Sequence, residues 1–298
     1  MASRNVVIGL MLLSQTAVGI LGNLFQLYYY LVLSCNEHPL RSTDLILKHL
    51  SVANALIILT NGVPRTMAAF SLKYFFSDFV CELILYIQRV GRSVSIGITC
   101  LLSVIQNITV SPMNSCWNNI KRKAPKHIGF SISLCWILYM VVHSIFSLYV
   151  VGKQRSENLT KQRYLRYCSS AGHDKITETL YAALCVFPEV VFSMLIIWSS
   201  GSMILLLHRH KRRVQHIHSI KVSSRYCPES RATKRILVLV CTFVSFHTLS
   251  SILHVCITFH FNPSWWLVNI NALISLCFPT GSPFLFSRHD SVLSRLCF

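Results

Sequence analysis

Long apolar blocks alternate with short polar connectors along the whole chain. Seven blocks stand out: Val6–Leu33, Leu45–Phe70, Cys81–Ser111, Ile128–Val151, Thr179–Leu207, Ile236–Phe259 and Trp265–Phe286. An apolar run of about 20 residues is the length of a membrane-crossing helix. The pattern predicts an all-α membrane protein, a seven-transmembrane helix bundle forming one domain over residues 1–298. The first block exceeds the roughly 7–15 residues of a secretory signal core and lacks a cleavage pattern, so it reads as an uncleaved span. Prolines punctuate the scheme. Pro39 breaks the first connector, Pro64 is expected to kink span two, Pro188 to break span five, and Ser111-Pro112 ends span three.

Composition agrees with the pattern. The chain is 53% hydrophobic and only 13% charged, about half the charged share of a soluble domain. A net charge of +18 invites a nucleic-acid reading. The distribution argues against it, because Lys and Arg sit between apolar blocks, as in the cytoplasmic loops of membrane proteins. Lys121, Arg122, Lys123 and Lys126 fill the third connector, and a run from Arg209 to Arg235 fills the fifth. This excess puts those connectors inside, with the N-terminus extracellular and the C-terminus inside. Arg4 and the basic segment between spans four and five run against the rule. The inner basics read as topology signal and lipid contact. Arg212, Arg213, Lys234 and Arg235, at the inner ends of spans five and six, are candidates to face a cytosolic partner.

Polar residues inside the spans come next. Span three carries Arg89 and Arg92, three apart and so on one helix face. Guanidinium groups in hydrocarbon are costly and usually face a bundle interior or a wet cavity. Glu189, beside Pro188, lies at similar depth, about 15 Å below the outer end of its helix. An Arg–Glu pair lowers the cost of burying both charges. Either one guanidinium is left to receive an anionic or carbonyl-bearing ligand, or both are spent on Glu189 and helix carbonyls. His143, His247 and His254 lie in apolar spans, show no H-E-x-x-H pattern and are expected to have no carboxylate accompanying them, which favours hydrogen bonding between helices over metal binding. Asn23 and Asn54 are expected to bond across helices too. Arg89, Arg92, Glu189 and His254 form the candidate ligand pocket. Paired carboxylates, G-x-S-x-G and phosphate loops are absent, so no enzyme, metal or cofactor is expected.

Two of the twelve cysteines, Cys81 and Cys168, fall where the chain faces the oxidising outside. A bridge between them closes a loop of nearly ninety residues, about 4–5 kcal/mol in the entropic model; two free thiols are the alternative. Asn158-Leu159-Thr160 is an outer glycosylation sequon, whereas Asn107-Ile108-Thr109 falls at an inner end and Asn262-Pro263-Ser264 is barred by its proline.

Seven spans with an outer N-terminus and a bridge from span three suggest a G-protein-coupled receptor. The wording is more specific. GNLFQLYYY, RSTDLILKHLSVANALIIL, GRSVSIGITCLLSVIQNITVSP, NLT followed by YCSS, FPEVVFSMLIIWSSGSMILLLHRH, CPESRATKRILVLVCTFVSF and CFPTGSPF together resemble the vomeronasal type 1 receptors. The resemblance implies a plasma-membrane chemosensory receptor. It implies a small pheromone-like ligand and an inhibitory-class heterotrimeric G protein. It also implies the Cys81–Cys168 bridge and the Asn158 glycan. Signatures of rhodopsin-like receptors are missing. Ile108-Thr109-Val110 stands where D-R-Y is usual, Asn54 replaces the acidic residue of span two, span six has no proline, and FPTGSPF replaces N-P-x-x-Y. A bitter-taste-type receptor is the neighbouring reading, against which CPESRATK and CFPTGSPF speak. A small-molecule transporter or channel is the reading from another class. It predicts inverted repeats or broken helices, which the sequence lacks.

Overall fold

The computed structural model describes residues 2–35, 42–70, 78–110, 126–144, 162–165, 168–171, 175–217, 228–259 and 265–287. Among these, seven helices occupy the seven apolar blocks: α1 Ala2–Cys35, α2 Ser42–Ala69, α3 Asp78–Val110, α4 Lys126–Ser144, α5 Lys175–Ile217, α6 Pro228–Phe259 and α7 Trp265–Ser287. Five are long and apolar enough to cross a membrane on that basis alone. The two others are α3 and α6. Arg92 and then Ser93, Ser95, Thr99 and Ser103 dilute the apolar residues of α3, and the apolar stretch of α6 is confined to Val240–Leu253.

Most bounds sit within a few residues of the expected spans, and the differences have physical causes. Pro188 does not break α5, which runs through it for 43 residues. A proline removes one backbone donor, and inside a membrane bundle neighbouring groups make up for it. The long basic connector is also shorter than expected. α5 continues to Ile217 and α6 starts at Pro228, since proline is well suited to the first helical position. Arg212 and Arg213 therefore belong to α5, and Lys234 and Arg235 to α6. In α2 a π-helical turn, Ile58–Gly62, immediately precedes Val63 and Pro64. The wider turn accommodates the ring that would clash with the carbonyl four residues back. Residues 145–151, expected to complete span four, lie outside the described set.

The segment between α4 and α5 contains an antiparallel hairpin, β1 Gln162–Leu165 and β2 Cys168–Ala171, in register Gln162 with Ala171 and Leu165 with Cys168. Sequence reasoning did not anticipate it. Arg166-Tyr167, which joins the strands, lacks the Asn-Gly or Gly-x signal of a two-residue hairpin.

α3 is central. It packs on α2, α5 and α6, touches β2, and bonds to α4 through Tyr86, whose hydroxyl donates to the Met140 carbonyl at 3.1 Å. The main core lies around it: Ile46 and Leu50 of α2, Val94, Ile98 and Leu102 of α3, Ile132 of α4 and Ile196 of α5. A second cluster, Ile8, Leu12, Ile57, Ile58, Ala272 and Leu276, joins α1, α2 and α7.

Candidate functional site

α3 presents Arg92 to two neighbouring helices at once. Its Nε donates to Glu189 Oε1 on α5 at 3.2 Å. Nη1 donates to Ser250 Oγ at 3.3 Å and Nη2 to Ser251 Oγ at 2.7 Å, both on α6. Ser251 in turn donates to Glu189 Oε2 at 3.0 Å, which closes a ring of charge-assisted bonds. Ser250 donates to Asn271 Oδ1 of α7 at 3.2 Å. The cluster therefore couples α3, α5, α6 and α7. The side chains are half-buried, 28% exposed for Arg92 and 17% for Glu189. Both charges thus stand in the bundle but keep an edge toward open space.

His247, one turn before Ser251 on α6, stands beside the same carboxylate. Its Nε2 lies 3.5 Å from Glu189 Oε2 without forming a hydrogen bond. The ring stacks on Phe243, centroids 5.3 Å apart and planes 7° apart. Phe243 meets Phe278 of α7 edge-on at 4.5 Å. The expectation that no carboxylate accompanies the intramembrane histidines is corrected here: Glu189 is remote in sequence but adjacent in space. His143 behaves as expected, with Nε2 3.1 Å from Ser93 Oγ across the α3–α4 contact.

A cavity of about 40 Å³ opens beside the cluster, lined by Asn61, Arg92, Ser95, His247, Ser275 and Phe278 among others. A single water needs roughly 10–15 Å³, so the cavity has room for a few waters. Pockets for drug-sized ligands run to about 300–1,000 Å³. This cavity as it stands is therefore too small for such a ligand.

Of the expected pocket residues, Arg92 and Glu189 meet. Arg89 is half-buried one turn away on α3. The three-residue spacing put both arginines on one face and could not say which of them makes these bonds. The side chains of His254, Arg212, Arg213, Lys234 and Arg235 lie outside the described set, as does Asn158 altogether. Cys81 is disulfide-bonded and buried. Strand β2, which opens with Cys168, lies against α3.

A second polar system was missed by sequence reasoning. α2 and α7 run along each other with three polar contacts at seven-residue steps on α7. Asn54 Nδ2 donates to Ser282 Oγ at 2.8 Å, Asn61 Nδ2 to Ser275 Oγ at 2.9 Å, and Arg65 Nη1 to the Val268 carbonyl at 3.4 Å. Arg65 Nε also donates to Asn61 Oδ1 at 2.6 Å, and Ser95 of α3 donates to Asn54 Oδ1 at 3.2 Å. A seven-residue step keeps side chains on one seam between two helices. The steps Asn54 to Asn61 and Ser275 to Ser282 were the available signal. Asn54 and Asn23 do bond across helices, as expected, with Asn23 Nδ2 donating to the Pro279 carbonyl at 2.9 Å.

Residues 6–298 match the family model described as "Vomeronasal organ pheromone receptor family". The chain is 53% identical over 298 residues to "Vomeronasal type-1 receptor 4" of Homo sapiens, covering 100% of this chain and 99% of that protein. It is 49% identical over 285 residues to "Vomeronasal type-1 receptor 2" of Homo sapiens, covering 96% and 72%. It is 32% identical over 277 residues to "Vomeronasal type-1 receptor 45" of Mus musculus, covering 92% and 85%.

Proposed function

This chain belongs to the vomeronasal organ pheromone receptor family, and we propose that it senses a small pheromone-like molecule at the Arg92 cluster. It is a chemosensory G-protein-coupled receptor with a seven-transmembrane bundle. The reading beyond that places it in the plasma membrane, N-terminus extracellular, with all seven helices acting as one domain. One observation carries the choice of site: Arg92 of α3 holds Glu189 of α5 and Ser250 and Ser251 of α6 beside the cavity.

The physics of response follows from the size of that cavity. A ligand needs several times the space of the cavity, so it binds a bundle in which α3, α5 and α6 have moved apart or rotated. It shifts the equilibrium between the two packings by no more than its difference in affinity for them. Because Glu189 already balances Arg92, the ligand need not be charged. Its polar group competes for N–H and hydroxyl groups now engaged within the cluster, and its apolar body packs on Phe243 and Phe278. His254 of α6 and Arg89 of α3 are the further pocket candidates.

Around the pocket, Cys81 pairs with Cys168, which ties the β1–β2 hairpin over the outer mouth; the bonded state of Cys81 and the contact of β2 with α3 support the pairing. Asn158 carries a glycan on the same outer segment. At the inner side an inhibitory-class G protein docks against the ends of α5 and α6, where Arg212, Arg213, Lys234 and Arg235 offer positive charge to it and to anionic lipid.

The test is G-protein activation in cells that display the chain at their surface, challenged with fractionated glandular secretions and panels of volatile and steroidal compounds. A dose-dependent response that Arg92→Met with Glu189→Leu, a pair of changes expected to keep the chain at the surface, abolishes at matched surface density is the expected result. A response that survives this double substitution removes the site, and silence across the panel removes the ligand reading. Insensitivity of the response to pertussis toxin removes the inhibitory-class assignment.

A further inference from the structure

Polar side chains along the cavity are mostly engaged within the protein. Asn61 donates to Ser275, Ser95 to Asn54, Ser250 to Asn271, and Ser275 to the Ala272 carbonyl. Each guanidinium nitrogen of Arg92 donates to Glu189, Ser250 or Ser251. His247 differs. Its side chain is only 10% exposed. Among the described residues that line the cavity, its Nε2 is the one buried side-chain polar atom without a hydrogen-bond partner.

The neighbour of Nε2 decides whether that atom carries a proton. Glu189 Oε2 lies 3.5 Å away and belongs to a carboxylate paired with Arg92, which accepts and does not donate. A lone pair on Nε2 would face that negative oxygen, so the ring proton is assigned to Nε2. The carboxylate is already served, Oε1 by Arg92 and Oε2 by Ser251. A buried N–H without an acceptor is costly, so the site calls for an acceptor. It disfavours an anion, because Glu189 stands beside it with like charge. Phe243, Phe246 and Phe278 line the same cavity and suit an apolar body.

We propose that His247 is a specificity-determining residue whose Nε2–H binds the carbonyl oxygen of an uncharged, otherwise apolar ligand, a ketone or an ester. This rests on the pocket reading above and names the polar group that the pocket selects. The probes are straight-chain, macrocyclic and steroidal ketones, each paired with its methylidene isostere, in which C=CH2 replaces C=O. G-protein activation is read at matched surface density. In the wild type an active ketone is expected to be about tenfold more potent than its isostere. His247→Phe keeps a ring against Phe243 and is expected to bring the ketone down to its isostere while leaving the isostere unchanged. His247→Gln retains a donor and is expected to recover part of the difference. A merely structural role lowers both compounds alike, and that result overturns the proposal. Equal potency of ketone and isostere in the wild type overturns it too, as does silence to every ketone. If His247→Phe is not displayed, His247→Leu takes its place. Failure here is distinct from failure of the pocket reading. A response confined to compounds without an acceptor, abolished by Arg92→Met with Glu189→Leu, overturns this inference and keeps the pocket. A ketone response that survives that double substitution but falls with His247→Phe removes the Arg92 cluster as the site and keeps the role of His247.

Discussion

The α2–α7 seam and the Arg92 cluster both place polar groups inside an apolar bundle, but they do so in opposite ways. The seam is mostly neutral and repetitive, with Asn54–Ser282 and Asn61–Ser275 at matching steps. Each bond in such a seam is worth about 0.6 kcal/mol on average, at most about 1.7. The seam sets register, and no single contact dominates. The cluster is charged and singular. Glu189 draws Arg92, Ser251 and the edge of His247 toward one carboxylate. Breaking a buried ion pair from one side costs about 3–5 kcal/mol, yet replacing both partners with apolar groups is often neutral. Small dispersed terms make a frame that changes little when one is lost. One large, conditional term is what the proposed ligand response needs as a joint.

That contrast can be broken, most severely at the charges. Arg92→Met is expected to lose most surface display by leaving the Glu189 carboxylate uncompensated, a loss of about 3–5 kcal/mol. Arg92→Met with Glu189→Leu is expected to recover display measured by flow cytometry, while ligand response stays absent. A double variant as poorly displayed as the single would put the pair's role in doubt. Next in size is Asn54→Leu, which removes the bonds to Ser282 and Ser95. It is expected to cost about 1–2 kcal/mol, visible as a lower melting midpoint, with ligand response retained at matched surface density. Loss of response there would erase the division between frame and joint. Smaller again is Arg65→Met, which frees Asn61 Oδ1 and is expected to cost about 1 kcal/mol or less. The smallest is Ser199→Ala, which removes one hydroxyl bond to the Ser103 carbonyl between α5 and α3, 2.7 Å long. It is expected to shift the midpoint by no more than about 2 °C and to leave the response unchanged.

The seven helices were legible because a block of apolar residues of crossing length has few other uses. The depth match between Glu189 and the arginines was legible as well, since helical rise is fixed at about 1.5 Å per residue. That Arg92 makes the bonds to Glu189, Ser250 and Ser251 was not, because Arg89 and Arg92 share a face and the rotation of α3 is set by its packing on α2 and α5. Ser250 and Ser251 give no sequence signal. A serine in an apolar span can bond its own helix, as Ser245 does with the Cys241 carbonyl. Asn61 and Ser275 could have been found by pairing the seven-residue steps of the second and seventh blocks. Pro188 misled in the other direction: a proline ends helices in water far more readily than in a packed bundle.

The continuity of α5 through Pro188 turns the helix into a lever. Glu189 sits about a third of the way along it from Lys175, and Ile217 lies about 42 Å further along the same axis at about 1.5 Å per residue. If the carboxylate is the pivot, a tilt of about 5° carries the far end through nearly 4 Å. That displacement is comparable to the width of a side chain. A rearrangement too slight to notice among Arg92, Ser251 and His247 thus becomes a change of shape at the end that carries Arg212 and Arg213, the surface proposed to meet the G protein.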